Sequence, residues 1–338
     1  RRPPMPGSAP PAPPPPEAAM PPPGSPRDGL RELHAEDRAR MERFAARLEG
    51  AKQAAEFFGR RPRRFVVLPE GAAEPGMGGV KRVHLLRHGE GLHNAFRAAE
   101  RLAGRQPLAK RHNMREVPAE LHDPPLTQAG REEAAAARAA ASACSPQLLV
   151  TSPLRRAVQT LLVAFEEHLR AGVPAVAHEL CREQFHGLDP SIYDSRRARD
   201  EAAREFPQVD FVSHVLPPDS DGAEVRADPL WWHCGSPFGS CEGGTNEAAM
   251  VEHAWQFLCW LMSRREAEVA VASHALFLLA MHHGALALPS GDPFDRAQVL
   301  HTGELRSLLL QEVAAPAGAA GARLQRWGPL LAGHGGPP

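Results

Sequence analysis

The sequence predicts an α/β domain: a three-layer sandwich with a mostly parallel central sheet, helices on both faces, and a helical/loop lid insertion. Three observations predict it. Short apolar runs recur at 83–86, 148–151, 176–180, 268–272 and 305–311. Between them lie longer segments whose apolar residues return at helical spacing, and strand and helix in alternation mean a parallel sheet covered on both sides. Four of the runs also end in polar residues of one chemical kind, at the edge where open parallel sheets build their sites.

Taken in order, residues 1–29, RRPPMPGSAPPAPPPPEAAMPPPGSPRDG, are dominated by proline, glycine and alanine. They bury too little apolar surface to offset the entropy of ordering, and read as a disordered, partly polyproline II tail. Residues 30–78 read as an extension and linker. Leu30, Leu33, Met41, Phe44, Leu48, Ala55 and Phe58 stand at loosely helical spacing, as on an amphipathic helix packed outside the main domain. The glycine-rich EGAAEPGMGG follows.

The main domain is read over 79–313. Strand 83–86 opens it, and the stretch from Asn94 to Asp123 comes next, with Arg97, Arg101, Arg105, Lys110, Arg111 and Arg115. It reads either as a basic lid over an acidic substrate or as a solvated helix and loop, since the chain uses arginine for almost every cation. Helix 127–142, strand 148–151, helix 154–169, strand 176–180 and a helix around 196–205 continue the alternation. Helix 247–263, strand 268–272, helix 276–284 and strand 305–311 complete it, and 314–338 reads as a flexible tail.

Composition limits the function classes. Net charge is -1 over 338 residues, so no global field points to nucleic acid or to an acidic membrane surface. No run of apolar residues is long enough to span a bilayer. The cysteines, Cys144, Cys181, Cys234, Cys241 and Cys259, are scattered and odd in number, which fits a reducing compartment better than a disulfide scaffold. A cytoplasmic location is expected; because the chain starts at Arg1, organellar targeting stays open. Cys234, Cys241 and nearby His233 lack a second pair of ligands, so they read as a loop with incidental thiols rather than a zinc site.

The polar strand ends carry the chemistry. They are Arg87-His88-Gly89, Thr151-Ser152-Pro153-Leu154-Arg155-Arg156, Cys181-Arg182-Glu183 and Ser273-His274. Two histidines, several arginines and a carboxylate at one edge suit phosphoryl transfer. A phosphate carries roughly -1.5 to -2 charges near neutral pH, and guanidinium groups match its oxygens in pairs. A neutral imidazole can attack phosphorus and divide one displacement into two easier ones. Gly89 is expected to let the backbone approach the phosphate. Arg155 and Arg156 are neighbours at a helix start and point apart, so only one faces the phosphate. Arg182 reads equally as a substrate contact or a surface ion pair.

The sequence resembles the histidine phosphatase superfamily, also called phosphoglycerate mutase-like. The resemblance rests on RHGEGLHN, DPPLTQAG at 123–130, TSPLRRAVQT at 151–160, REQFHG at 182–187 and ASH at 272–274, five blocks in family order. CREQFHG, FPQVDF, FLCWL and ELRSLLL extend it to the plant and fungal branch. The resemblance implies a metal-independent phosphatase without a cofactor, acting on a small phosphorylated metabolite. It makes His88 the nucleophile, gives Arg87, Asn94, Arg156 and His274 to the transferred phosphoryl group, and makes Glu183 the acid and base, with Glu179 as the weaker substitute.

Two rivals stand beside this reading. One is a mutase that returns the phosphoryl group to an isomeric position. The other is a binding protein whose proline-rich tail docks an SH3 or WW-like domain.

Overall fold

The computed structural model describes residues 46–48, 63–104, 118–183, 192–220, 225–226, 246–288 and 300–314. The proline-rich 1–29, most of the expected helix 30–58 and the lid residues 105–117 lie outside that set. So do Trp231, Trp232, His233, Cys234, Cys241 and the tail after Ala314.

The strands are β1 (Arg63–Leu68), β2 (Val80–Arg87), β3 (Leu148–Thr151), β4 (Ala175–Ala177), β5 (Asp219–Ser220), β6 (Val225–Arg226), β7 (Glu268–Ser273), β8 (Leu286–Ala287) and β9 (Leu305–Ala314). Seven of them form one sheet in the order β4-β3-β7-β2-β9-β1-β8, and β5 pairs with β6 as a separate ribbon. β4, β3, β7 and β2 are parallel neighbours; β9 alone runs antiparallel, between β2 and β1. The sheet is thus mostly parallel.

Strands buried on both faces must be apolar at nearly every position, and β3, LLVT, is buried throughout. Successive side chains go to opposite layers. Val83, Leu85, Leu148, Val150, Val269 and Val271 pack with Trp255, Phe257, Leu258 and Leu261 of the helix Asn246–Ser263. Leu86, Leu149, Ala270 and Ala272 pack against Val158, Leu161 and Phe165 and, further out, Phe206 and Phe211. Helices on both faces follow from that split.

The structure corrects several boundaries. The sheet begins at Arg63, inside the span 30–78 read as extension and linker: RRFVVL alternates Phe65 and Val67 inward, and β9 supplies a partner along its whole length. Leu48 is fully buried in the same cluster as Phe65 and Val67, so the extension contributes to the core rather than packing outside it. The strand expected over 176–180 ends at Ala177, because the His178 side chain accepts the Leu180 amide and turns the chain into a 3-10 turn over Glu179–Cys181. The expected helices 127–142 and 154–169 break, at Ala137 and Phe165, into Gln128–Ala136 with Arg138–Ser142 and Arg155–Ala164 with Glu166–Arg170. The helix expected from 196 starts at Arg199, and the one over 276–284 widens into a π-turn at Ala280–Ala285.

Candidate active site

The parallel register brings the site together. Arg87 is level with Ser273 across β2 and β7, so the next residues, His88 and His274, leave the sheet side by side. Their ring centroids are 4.9 Å apart, and both are buried. Thr151 is level with Ala272, which puts Ser152 beside them.

His88 Nδ1 lies 2.7 Å from the Gly89 carbonyl oxygen. A carbonyl only accepts, so Nδ1 carries the proton and Nε2 presents its lone pair. Burial, then the Arg156 and Arg87 cations, hold this imidazole well below the ordinary histidine range, so it is neutral at neutral pH. His274 Nε2 is 2.7 Å from Ser152 Oγ. Its pKa is pushed down by burial and then by Arg156. His274 Nδ1 is buried without a hydrogen-bond partner among the described residues.

Arg156 enters on the first turn of the helix Arg155–Ala164 and is fully buried. Nη1 donates to the Tyr193 carbonyl at 2.7 Å and Nη2 to Asp194 Oδ1 at 2.7 Å. Its Nε, like His274 Nδ1, is buried with no partner among the described residues. Arg155 turns the other way and pairs with half-exposed Glu205 at 2.7 Å. Arg87 donates from Nη1 to the Leu300 carbonyl at 2.7 Å.

The two glutamates separate cleanly. Glu179 is buried and accepts from Arg196 Nε at 2.9 Å, from Arg182 Nη1 at 3.3 Å and from the Leu216 amide at 3.3 Å. It holds a structural ion cluster. Glu183 is partly exposed and its Oε1 accepts the Phe277 amide at 3.3 Å, which ties it to the helix that begins after His274.

Three further residues are held by protein contacts. Gly89 is glycine because a Cβ there would collide with the Gly130 carbonyl, and its amide donates to Thr160 Oγ1 at 3.0 Å. Arg182 is fully buried, with Nη2 on the Asp194 carbonyl at 2.7 Å, so it is neither a surface ion pair nor a solvated group. Asn94 Oδ1 accepts the Gly91 amide at 3.0 Å and so caps the helix Leu92–Leu102.

Sequence reasoning missed His93, Tyr193 and Asp194 as parts of this constellation. His93 is buried 5.9 Å from the His88 ring and 5.6 Å from the Tyr193 ring. His93 lies inside the quoted block RHGEGLHN, and a histidine in the first turn of the helix after it was the available signal. Tyr193 and Asp194 gave none.

Comparison with known proteins fits this geometry. Residues 83–214 match the family model of the Histidine phosphatase superfamily (branch 1), which spans the His88 loop, Arg156 and Glu183. Over these residues the chain is similar to the histidine phosphatase superfamily. A Phosphoglycerate mutase-like protein of Arabidopsis thaliana is 28% identical over 264 residues, covering 68% of this chain and 84% of the relative. Phosphoglycerate mutase-like protein 1 of the same plant is 23% identical over 227 residues, covering 59% and 69%. Among solved structures, the ecdysone phosphate phosphatase from Bombix mori aligns with a TM-score of 0.40 at 17% identity, over 67% of this chain and 88% of that one. The superfamily's blocks thus fall on the strand ends that the sheet gathers. Among the described residues no cluster of histidine, cysteine and carboxylate side chains could hold a metal, and no helix is long and apolar enough to cross a membrane.

Proposed function

We propose that this chain is a phosphatase that hydrolyses a small phosphorylated metabolite through a phosphohistidine on His88, without a metal. The observation that carries the reading is the cluster around His88: a neutral imidazole with its Nε2 lone pair available, in ring contact with His274 and under the field of Arg156, whose Nε, like His274 Nδ1, is buried without a protein partner among the described residues. Buried polar atoms are nearly always satisfied, so a pair of them next to a nucleophile calls for a ligand with acceptor oxygens. A phosphoryl group has those oxygens.

In the first step His88 Nε2 attacks phosphorus and the bond to the leaving oxygen breaks, with Glu183 giving that oxygen its proton. Arg87, Arg156 and His274 offset the charge on the equatorial oxygens. In the second step the Glu183 carboxylate takes a proton from water, the water oxygen attacks phosphorus, and the P–N bond breaks to restore His88 and release inorganic phosphate. Guanidinium groups supply the charge that a divalent cation supplies elsewhere, so turnover is expected to survive exhaustive chelation.

A second reading, a mutase, is favoured by the names of the two plant relatives. Both readings share the phosphohistidine and differ in whether water reaches it. The stretch from Ala95 to Asp123 is arginine-rich and lacks the Thr-Gly pair that the resemblance leads one to look for in a phosphoglycerate mutase, which supports hydrolysis. Incubation with 3-phosphoglycerate and catalytic 2,3-bisphosphoglycerate separates them. Little or no interconversion, with phosphate released from other members of a phosphorylated-metabolite panel, is expected; rapid 2-phosphoglycerate without free phosphate would replace this reading with the mutase.

A further inference from the structure

Asp194 sits on a 3-10 turn, Ile192–Asp194, that takes no part in the sheet and stands 38 residues after Arg156 in sequence. Two groups of this turn hold the Arg156 guanidinium: the Tyr193 carbonyl on Nη1 and Asp194 Oδ1 on Nη2, each at 2.7 Å. The same Asp194 residue offers its own carbonyl to Arg182 Nη2 at 2.7 Å, and Arg182 immediately precedes Glu183. One short turn therefore ties the arginine of the phosphoryl pocket to the segment that carries the acid and base.

We infer that Asp194 is the positioning residue of Arg156, fixing the guanidinium by its terminal nitrogens so that the Nε–H edge faces the His88 pocket. The inference rests on the phosphoryl-transfer reading for its consequence, not for its geometry. A planar guanidinium has five N–H donors in a fixed fork. With one donor on each of Nη1 and Nη2 taken by the turn, the plane of the fork is set, and the buried Nε is left without a partner among the described residues. Arginine has four rotatable side-chain bonds, so holding it in advance removes an entropy cost that would otherwise fall on substrate binding or on the transition state.

Charge matters as well as direction. The Asp194 side chain is 16% exposed and that of Arg156 is 1% exposed, so the carboxylate offsets the Arg156 cation at the buried end. Without it, the arginine would remain buried with less compensation.

The test is a double-mutant cycle on the full chain, using p-nitrophenyl phosphate turnover and orthovanadate affinity. Asp194→Ala is expected to lower kcat/KM by about 10- to 100-fold, with most of the loss in kcat, and to weaken vanadate by a similar factor. Asp194→Asn, which keeps an oxygen at the Oδ1 position, is expected to recover most of that loss. In an Arg156→Ala background the Asp194→Ala change is expected to have almost no further effect, because its target is gone. A merely structural aspartate would give the same penalty in both backgrounds, and that result would overturn the inference. A further readout does not depend on activity: the Arg156 Nε–H resonance, assigned by its disappearance in Arg156→Lys, should be a slowly exchanging signal in the parent and in Asp194→Asn and be lost in Asp194→Ala. Were it unchanged in Asp194→Ala, the positioning claim would fail even if the phosphatase reading stood. Absence of turnover and vanadate binding in the parent, with the resonance behaving as expected, would instead sink the phosphatase reading alone.

Discussion

Gly89 and Gly130 pack backbone against backbone, and neither can carry a side chain. A Cβ on Gly130 would lie 2.7 Å from the Glu90 nitrogen and closer still to the Glu90 oxygen; one on Gly89 would strike the Gly130 carbonyl. Around this contact the Thr127 amide donates to the Glu90 carbonyl at 2.9 Å, Thr127 Oγ1 donates to Glu90 Oε1 at 2.7 Å, and the Glu90 amide donates to Glu133 Oε2 at 2.7 Å. The DPPLTQAG turn is thus a clamp on the loop that carries His88.

Gly130→Ala should open that clamp. Overpacking of this kind costs about 1–3 kcal/mol, and here the obstacle is main chain, which yields least. Urea unfolding should show a loss of that order, with turnover reduced because the His88 loop is displaced. A variant as stable and active as the parent would mean the two loops are not in contact.

The two glutamates should respond in opposite ways. Glu179→Gln removes the carboxylate that two buried arginines share, and should destabilise the fold by about 3–5 kcal/mol. Glu183→Gln keeps an oxygen for the Phe277 amide but cannot shuttle a proton, so kcat should fall by about 10²- to 10⁴-fold with little change in unfolding free energy. Activity and urea curves on both variants decide it. Loss of turnover without loss of stability in Glu179→Gln would move the acid and base role to Glu179.

Acid should unfold this protein earlier than its carboxylates alone require. His88, His93, His178, His253 and His274 are all held neutral in the fold, chiefly by burial, and His253 is lowered to about 3. In the unfolded chain each titrates near 6.5. Below that value the unfolded state binds protons that the folded state does not, so this contribution to stability is complete above 6.5 and is lost as pH falls toward the folded values. Each group contributes up to about 1.4 kcal/mol per pH unit in that window. Unfolding free energies measured at pH 7.5, 6.0 and 5.0 should fall steadily; a flat profile would mean these imidazoles are already charged in the fold.

What the sequence disclosed, and what it hid, follows from distance along the chain. His88, Ser152 and His274 stand immediately after apolar runs, and parallel strands deliver such residues to one edge whatever the loops between them do. That only one of Arg155 and Arg156 faces the site was legible from their adjacency; the resemblance picked Arg156. Asp194 was not, because an ion pair between a helix start and a distant turn leaves no periodic trace. Strand β1 was missed because RRFVVL is short and sits upstream of a glycine-rich stretch; only its pairing with β9 makes it a strand. The contact between Gly89 and Gly130 was hidden for a related reason, since the two approach through space.

The central claim is the covalent intermediate on His88. Turnover of p-nitrophenyl phosphate should be quenched in alkali within the first catalytic cycles and the peptide containing Arg87-His88-Gly89 examined by mass spectrometry. A phosphate on His88 that survives base, is lost in acid and is missing in His88→Ala is the expected result. An acid-stable phosphoserine, or full turnover in His88→Ala, would contradict the account.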